Sequence, residues 1–318
     1  MRDPMTPVAA PLVSIVVPFL NAGRFLEEAV ASVIAQRDPR WELLLVDDGS
    51  TDDSTAIARR HAAEDPGRVR YLEHAQHRNR GKSTSRNLGI RAARGAYVTF
   101  LDADDVFLPE KLAHQSAVLD AHPEAAMVYG RTEYWISWDA AAAGRAGAYG
   151  RRPRDFMSRL GVRTQAVIAP PALLTLFLRD PGTVPCICSI LVRRSVLDDV
   201  GGFDETIQHL FEDQVLLAKL FSRAAVVVDD ACGERYRQHP DSSCARAIAA
   251  GEYHPWRPNP ARRAYLEWLA AYVDERGITD GPLRGELRRE LAIYRHPLWG
   301  QVASPVIYAA RRLKELLA

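Results

Sequence analysis

The sequence predicts an α/β fold in which a mostly parallel central sheet is flanked by helices. Apolar runs of strand length alternate with helical segments four times within the first 105 residues, and this alternation is typical of right-handed strand–helix–strand units. The first run is continuously apolar apart from one serine, as in a parallel strand covered on both faces. Acidic residues follow the second and fourth runs, at the sheet edge where α/β folds bind ligands.

Four strands and the helices between them are predicted in the first third of the chain. Each strand is short and largely apolar, and the helices carry apolar residues at helical spacing. The helices are expected at 23–36, from the turn after the second strand to about residue 61, and around Leu88 and Ile90. The strands are predicted at 12–17, 41–46, 69–72 and 97–101.

The second part of the chain continues the alternation but contains one irregular segment. Residues 139–182 are loop-like, basic at 151–154 and punctuated by Pro170 and Pro171, which predicts an insertion over the mouth of the sheet. Helices are predicted at 109–121 and 211–221, and extended segments at 126–135, 184–192, 225–228 and 235–239.

Beyond residue 243 the sequence predicts a helical carboxy-terminal extension. Helices begin at the pairs Asn259-Pro260 and Ser304-Pro305, where proline suits the first helical turn. The last helix places apolar residues on one face and three basic residues beside them, which suggests peripheral contact with an anionic membrane. The alternative is that this helix packs on its own domain. The apolar residues are Val306, Ala310, Leu313 and Leu317, and the basic ones are Arg311, Arg312 and Lys314.

Composition limits the class of protein. The 318 residues are 47% hydrophobic and 25% charged, which is ordinary for a globular protein with a large core. Lys and Arg total 41 against 40 for Asp and Glu, so there is no electrostatic case for a nucleic-acid partner. The four cysteines have neither zinc nor disulfide spacing, and no signal peptide or membrane span is evident. We therefore expect a cytoplasmic protein, in solution or on the inner face of the cell membrane.

Three carboxylates crowd the end of the fourth predicted strand. Asp102, Asp104 and Asp105 would repel one another there and would be costly to desolvate. A divalent cation removes that cost, and hard carboxylate oxygens suit Mg²⁺ or Mn²⁺. The alternative is a solvated acidic turn that caps the helix beginning near Pro109.

The first half lacks the phosphate-binding signatures of two large enzyme classes. No Gly-x-Gly-x-x-Gly follows the first strand, which disfavours a dehydrogenase. The triplet Gly81-Lys82-Ser83 resembles the end of a P-loop, but the upstream glycine and the preceding strand are missing. A P-loop phosphotransferase is therefore disfavoured as well.

Seven short motifs occur in one order along the chain, and together they carry a family resemblance. They are VSIVVPFLN (13–21), VDDGSTD (46–52), GKSTSRN (81–87), LDADD (101–105), VGGFD (200–204), ED (212–213) and YRQH (236–239). This set resembles the family 2 glycosyltransferases of the GT-A fold, over about residues 12–243. The resemblance implies a metal-dependent inverting enzyme that moves a sugar from a nucleoside-diphosphate sugar to an acceptor hydroxyl.

The resemblance also implies which residues bind the nucleotide. Pro18 and Asn21 would border the nucleotide pocket, Asp48 would bind the edge of the base, and Asp102 would bind the ribose hydroxyls. A carboxylate at Asp48 can accept hydrogen bonds from uracil, thymine or guanine, so UDP, dTDP and GDP sugars all remain open as donors. Arg86 would approach the nucleotide or its phosphates, or else form a surface salt bridge.

The same resemblance implies a metal site and a catalytic base. Asp104 would hold Mn²⁺ or Mg²⁺ at the diphosphate, and His239 would complete the site unless it is a packing residue. Asp213 would take the proton of the acceptor hydroxyl as general base. Its neighbour Glu212 would orient hydroxyl groups of the acceptor or donor.

The predicted organisation is a catalytic domain at 1–243 and the extension at 244–318. The catalytic domain divides into a nucleotide-binding half (12–105) and an acceptor half (106–243). The expected role is polysaccharide, glycolipid or other glycoconjugate synthesis, with a glycan, a lipid-linked molecule or a small molecule as acceptor. A sugar nucleotidyltransferase is the alternative enzyme, but no Gly-rich basic signature follows the first strand. A non-catalytic nucleotide-sugar-binding module is expected to have lost Asp104 or Asp213, and both are present.

Overall fold

The computed structural model describes residues 12–139, 154–207, 210–254 and 257–295. Strands and helices alternate along this part of the chain, as predicted. The strands are β1 (Val13–Phe19), β2 (Trp41–Asp47), β3 (Val69–Glu73), β4 (Tyr97–Phe100), β5 (Val106–Phe107), β6 (Ala125–Trp135), β7 (Phe156–Met157), β8 (Ala166–Ile168), β9 (Ile190–Arg193) and β10 (Ala225–Arg237). The α-helices are α1 (Leu26–Ile34), α2 (Ser54–Glu64), α3 (Lys82–Ala92), α4 (Lys111–Ala121), α5 (Ala172–Arg179), α6 (Arg194–Val200), α7 (Glu212–Phe221), α8 (Ser243–Ala249), α9 (Pro260–Glu275) and α10 (Gly281–Arg295).

The strands form one sheet with the order β3-β2-β1-β4-β9-β6-β10-β5, in which β7 pairs with β6 and β8 with β10. Neighbours within β3-β2-β1-β4 are parallel, and so are β6 and β10. Strand β9 runs antiparallel between β4 and β6. Because parallel neighbours need a crossover, helices join the first four strands. The predicted α/β class with a mostly parallel, helix-flanked sheet is confirmed.

The continuous apolar character of the first strands follows from burial on both sheet faces. Every residue of β1 and β2 is buried. Alternate side chains enter two different hydrophobic clusters, as the two-residue period of a strand requires. Val16, Leu44 and Val46 belong to one cluster, and Ile15, Val17, Leu43 and Leu45 belong to the other.

Two predicted strands differ from the structure. The segments predicted at 225–228 and 235–239 form one strand, β10, because the polar residues between them are absorbed by register shifts against β6 rather than by a turn. A Cβ at Gly130 of β6 would lie 2.2 Å from the carbonyl oxygen of Ala231, so only glycine allows the strands to approach here. The strand predicted at 184–192 is shorter, since a turn of 3₁₀-helix at Ile187–Ser189 precedes β9.

The predicted insertion at 139–182 is only partly an insertion. Residues 140–153 lie outside the described part of the chain. The remainder supplies β7 and β8 to the sheet and α5 to the core, where Leu173, Leu174 and Phe177 are buried. The loop-like composition misled the prediction because α5 is a single short apolar helix between proline and glycine.

The helices after residue 250 share the core of the sheet. Helix α9 begins at the predicted proline, and the side chain of Asn259 caps it by accepting from the N–H of Arg262. Helix α10 was not predicted; its leucines pack in the same cluster as α5 and α7. The last predicted helix lies outside the described residues. No helix among the described residues has both the length and the apolar character that a membrane span needs.

Candidate active site

A cavity of about 230 Å³ opens where β4 ends and where α3 and α7 begin. One part of its wall is charged, and the other is formed by aromatic, apolar and thiol groups. The charged residues are Lys82, Arg86, Asp102, Asp104, Asp105, Glu212 and Asp213. Prominent members of the other wall are Tyr134, Pro185, Cys186, Cys188, Phe211, Tyr236 and Tyr253.

The acidic turn after β4 is attached to the end of β10. Arg237, which is buried, donates from Nε to the carbonyl oxygen of Asp104 at 2.7 Å, and its own N–H donates to Asp105 Oδ1 at 2.9 Å. The alternative of a solvated acidic turn that caps the next helix does not hold for Asp105, whose buried carboxylate binds β10 instead. This attachment brings His239 Nε2 to 3.0 Å from Asp104 Oδ2.

The residues at this turn fit a divalent cation. Carboxylate oxygens of Asp102, Asp104 and Asp105 lie within 4.8 Å of one another. Among the described residues, the buried Asp105 Oδ2 and His239 Nδ1 have no hydrogen-bond partner. Burial raises the pKa of Asp105 well above its usual range, and Asp104 and Asp102 add to the effect. Carboxylate and imidazole donors held this close suit Mn²⁺ or Mg²⁺.

Arg86 connects the metal side of the cavity to α7. Its side chain is 1% exposed, and its guanidinium donates to Asp102 Oδ1 at 2.7 Å and to Glu212 Oε1 at 3.3 Å. Burial opposes the ionised form of Asp102, but Arg86 and Lys82 outweigh it and lower the pKa of this carboxyl. The surface salt bridge considered for Arg86 is wrong, because the pairs it forms lie inside the cavity wall.

An unusual backbone conformation places the Glu212–Asp213 pair. Phe211 has φ 67°, a left-handed conformation that is costly for a bulky residue. Its ring is buried and stacks on Tyr265 of α9, with centroids 5.3 Å apart. The turn starts α7 with two acidic residues, where the helix dipole favours negative charge. Packing from α9 thus compensates for the strain beside the predicted base.

The electrostatic surroundings suit Asp213 to proton transfer. Burial raises its pKa to about 6, and the neighbouring Glu212 contributes to the rise, while Arg86 opposes it. A carboxylate with a pKa just below neutrality is mostly ionised at pH 7 and still basic enough to accept a proton.

The residues predicted to bind the nucleotide form two groups. Arg86 and Asp102 line the cavity with Asp104 and Asp213. Pro18, Asn21 and Asp48 lie at the neighbouring ends of β1 and β2 and do not line it. Asp48 Oδ1 accepts from the N–H of Arg80 at 2.7 Å, and Asn21 Oδ1 accepts from the N–H of Thr51 at 2.7 Å. In this structure both side chains hold the loops that follow the strands.

Three cavity residues carry features that the sequence did not assign to function. Lys82 was weighed only as part of an incomplete P-loop; its spacing of four from Arg86 on one helix was the available signal. Cys186 and Cys188 line the opposite wall as free thiols. A hydrogen bond to Cys186 and burial raise the pKa of Cys188 well above its usual range, which keeps it protonated.

Comparison with known sequences gives a family match and several partial relatives. Residues 14–201, more than half of the 318-residue chain, match the family described as Glycosyl transferase family 2. The putative teichuronic acid biosynthesis glycosyltransferase TuaG of Bacillus subtilis is 41% identical over 106 residues, which are 33% of this chain and 40% of TuaG. The O-antigen biosynthesis protein RfbC of Myxococcus xanthus is 41% identical over 120 residues, 37% of this chain and 9% of RfbC. The chain thus spans less than half the length of these relatives.

Comparison with solved structures identifies the fold. The crystal structure of S. aureus TarS 1-349 in complex with UDP-GlcNAc matches with a TM-score of 0.61 at 16% identity, over 91% of this chain and 72% of that chain. The same protein in complex with UDP matches with a TM-score of 0.59 over the same shares of the two chains, also at 16% identity. These matches confirm the predicted GT-A-like fold.

Proposed function

The chain belongs to glycosyl transferase family 2, and from this premise we propose that it transfers a sugar from a nucleoside-diphosphate sugar to an acceptor hydroxyl, with inversion. The observation that carries the proposal is one cavity that contains both a candidate metal-binding turn, at Asp102 and Asp104, and a carboxylate with a raised pKa, Asp213. A binding module would need the first feature but not the second.

The donor would bind at the ends of β1, β2 and β4. Asp48 would bind the base, with Pro18 and Asn21 beside it, and Asp102 would bind the ribose hydroxyls. Because Asp48 is already bonded to the N–H of Arg80, donor binding would require the segment before α3 to move or to share this carboxylate.

Asp104 and His239 would hold Mn²⁺ or Mg²⁺ beside the diphosphate. When bound, the cation stabilises the negative charge that the diphosphate gains as the sugar leaves. Asp105 would support this pair indirectly, because it accepts from the N–H of Arg237, whose side chain donates to the carbonyl oxygen of Asp104.

Asp213 would act on the acceptor. It would accept the hydroxyl proton while the acceptor oxygen forms a bond to the anomeric carbon, and the bond from that carbon to the diphosphate oxygen would break. One carboxylate opposite the leaving group gives a single displacement and therefore inversion. Arg86 would hold Asp102 and Glu212 in place, so that donor and acceptor sites keep a fixed separation.

The acceptor is proposed by analogy with the relatives. The names of TuaG and RfbC refer to teichuronic acid and O-antigen biosynthesis, which favours polysaccharide or other glycoconjugate synthesis with a glycan or lipid-linked acceptor. We further propose that residues 1–243 form the catalytic domain and 244–318 an extension. A cytoplasmic location, with membrane contact through the last helix, remains part of the proposal.

The test is a thermal-unfolding screen with UDP, GDP, dTDP and CDP, each with Mn²⁺ and each with EDTA. At 100 times its dissociation constant a ligand adds about 2.7 kcal/mol of stability, so one nucleotide should raise the unfolding temperature clearly. The rise should be larger with Mn²⁺ than with EDTA, and Asp104→Asn should remove this difference without unfolding the protein. Equal shifts with Mn²⁺ and EDTA would contradict the metal role, and no shift with any nucleotide would contradict the function.

Sugar transfer is expected to decline as the pH falls below about 6. Only the ionised form of Asp213 can accept a proton, so the rate should drop roughly tenfold for each further pH unit. Initial rates at saturating donor and acceptor, measured between about pH 5 and pH 8, give the profile. A rate that stays constant through pH 6 to pH 5, with the protein still folded, would rule out a base of this pKa.

A further inference from the structure

The side chain of Lys82 brings a positive charge to the cavity. It is the first residue of α3, is exposed, and lines the cavity with Arg86. Residues four apart on a helix lie on one face, so the two cations point to the same side of α3. Within the described ranges, no residue forms a hydrogen bond or ion pair with the Lys82 ammonium.

Arg86, in contrast to Lys82, is already paired with carboxylates of the protein. Its two terminal nitrogens are bonded to Asp102 and Glu212, so its positive charge is balanced within the protein. Its Nε is buried and has no hydrogen-bond partner among the described residues. Of the two basic residues, Lys82 is therefore the one that retains its donors for a group that enters the cavity.

The charges of the cavity explain why such a cation is needed. Asp102, Asp104, Glu212 and Asp213 outnumber Lys82 and Arg86, and a donor diphosphate adds further negative charge. A metal held by Asp104 would neutralise part of that negative charge. Although desolvation opposes it, Asp102 and Glu212 raise the pKa of Lys82, so the ammonium stays charged near both carboxylates.

We propose that Lys82 is a further catalytic residue whose ammonium contacts the donor diphosphate and stabilises its growing charge; this inference rests on the proposed function. When the bond from the anomeric carbon to the β-phosphate oxygen breaks, its electron pair stays on that oxygen. The acceptor oxygen forms the new bond to carbon, and its proton passes to Asp213. The nucleoside diphosphate leaves with one more negative charge than it had in the donor, and Lys82 binds this form more strongly than the donor.

The test measures binding to the parent protein, Lys82→Met and Lys82→Arg by titration calorimetry with Mg²⁺. The probes are UDP, GDP and dTDP, their monophosphates and their glucose conjugates. For the nucleoside diphosphate that the parent binds, Lys82→Met should lower the affinity by about tenfold. It should weaken binding of the glucose conjugate less, and binding of the monophosphate only slightly. The affinities of Lys82→Arg should stay near those of the parent. Arg78→Met removes an exposed cation of the preceding loop that does not line the cavity, and should change none of these affinities.

Several results would overturn the inference. One is a Lys82→Met protein that binds the diphosphate as tightly as the parent does. Another is an equal loss for monophosphate and diphosphate, which would indicate a general electrostatic effect. A third is weakened binding of the glucose conjugate alone, which would place the ammonium at the sugar and not at the diphosphate. If the parent binds no nucleoside diphosphate, the proposed function fails and this inference fails with it. If the parent binds the diphosphate and Lys82→Met binds it equally well, the inference alone fails.

Discussion

Asp213→Asn is expected to lower the rate of sugar transfer by about 10²-fold or more, because an amide cannot accept the proton of the acceptor hydroxyl. Donor affinity should stay near that of the parent, since the residues proposed to bind the donor are Asp48, Asp102 and Asp104. The measurement is steady-state transfer together with donor titration on one preparation. Asp198→Asn is a matched control, because this aspartate is exposed on α6 and does not line the cavity.

The same variant should have a stability signature that a purely structural residue would lack. The folded-state pKa of Asp213 is raised, to about 6 against 3.8 for a free side chain. The protonated form therefore stabilises the fold at low pH, and this contribution is lost as the pH rises through 6. At pH 8 Asp213→Asn should be more stable than the parent by on the order of 3 kcal/mol, and at pH 4 the difference should be small.

Two outcomes would remove Asp213 from the base role. One is transfer within a few-fold of the parent while donor binding is normal; the base would then have to be sought at Glu212. The other is an equal loss of donor affinity and rate, which would assign Asp213 to binding. Slower transfer with greater stability is the combination expected of a carboxylate kept buried for chemistry.

The early strands could be predicted from sequence because their apolar runs have one structural explanation. Strands β1 and β2 are buried on both faces, so their sequences are apolar except for Ser14, Glu42 and Asp47. Helix α10 was missed for the opposite reason. It is largely polar, and its core contacts are made by Leu283, Leu287 and Leu291 at four-residue spacing among arginines and glutamates.

The site residues could be listed from motifs, but their connections could not. Arg86 and Glu212 are 126 positions apart, and only the folded sheet brings α3 and α7 together. The strained turn at Phe211 depends on Tyr265, a residue of the carboxy-terminal helices. Lys82 was missed for a different reason. It was compared only with the P-loop motif, and its position four residues before Arg86 on one helix was not considered.

A second large effect is expected from Lys111→Met, which should destabilise the protein by about 3–5 kcal/mol. Lys111 Nζ lies 2.8 Å from Glu234 Oε2, and both side chains are 0% exposed. Removing the lysine leaves a carboxylate buried without its counter-ion. Glu234 also accepts from Thr132 Oγ1 at 2.8 Å, which is too little to compensate. Urea unfolding of the parent and the variant at pH 8 gives the difference in free energy.

The pH dependence and the double variant separate an unpaired charge from lost packing. Burial raises the pKa of Glu234, and Lys111 opposes that rise. Without the lysine the pKa should rise further, so the carboxyl should take up a proton as the pH falls and the destabilisation should shrink between pH 8 and pH 5. Lys111→Met with Glu234→Met should recover most of the loss. The exposed pair Arg263–Glu267 is the control, because Arg263→Met should cost no more than about 1 kcal/mol. Lys111→Met could instead lose the same unfolding free energy at both pH values, and this loss could persist in the double variant. That result would mean that packing, not the buried charge, holds α4 against β10, the strand that leads to His239.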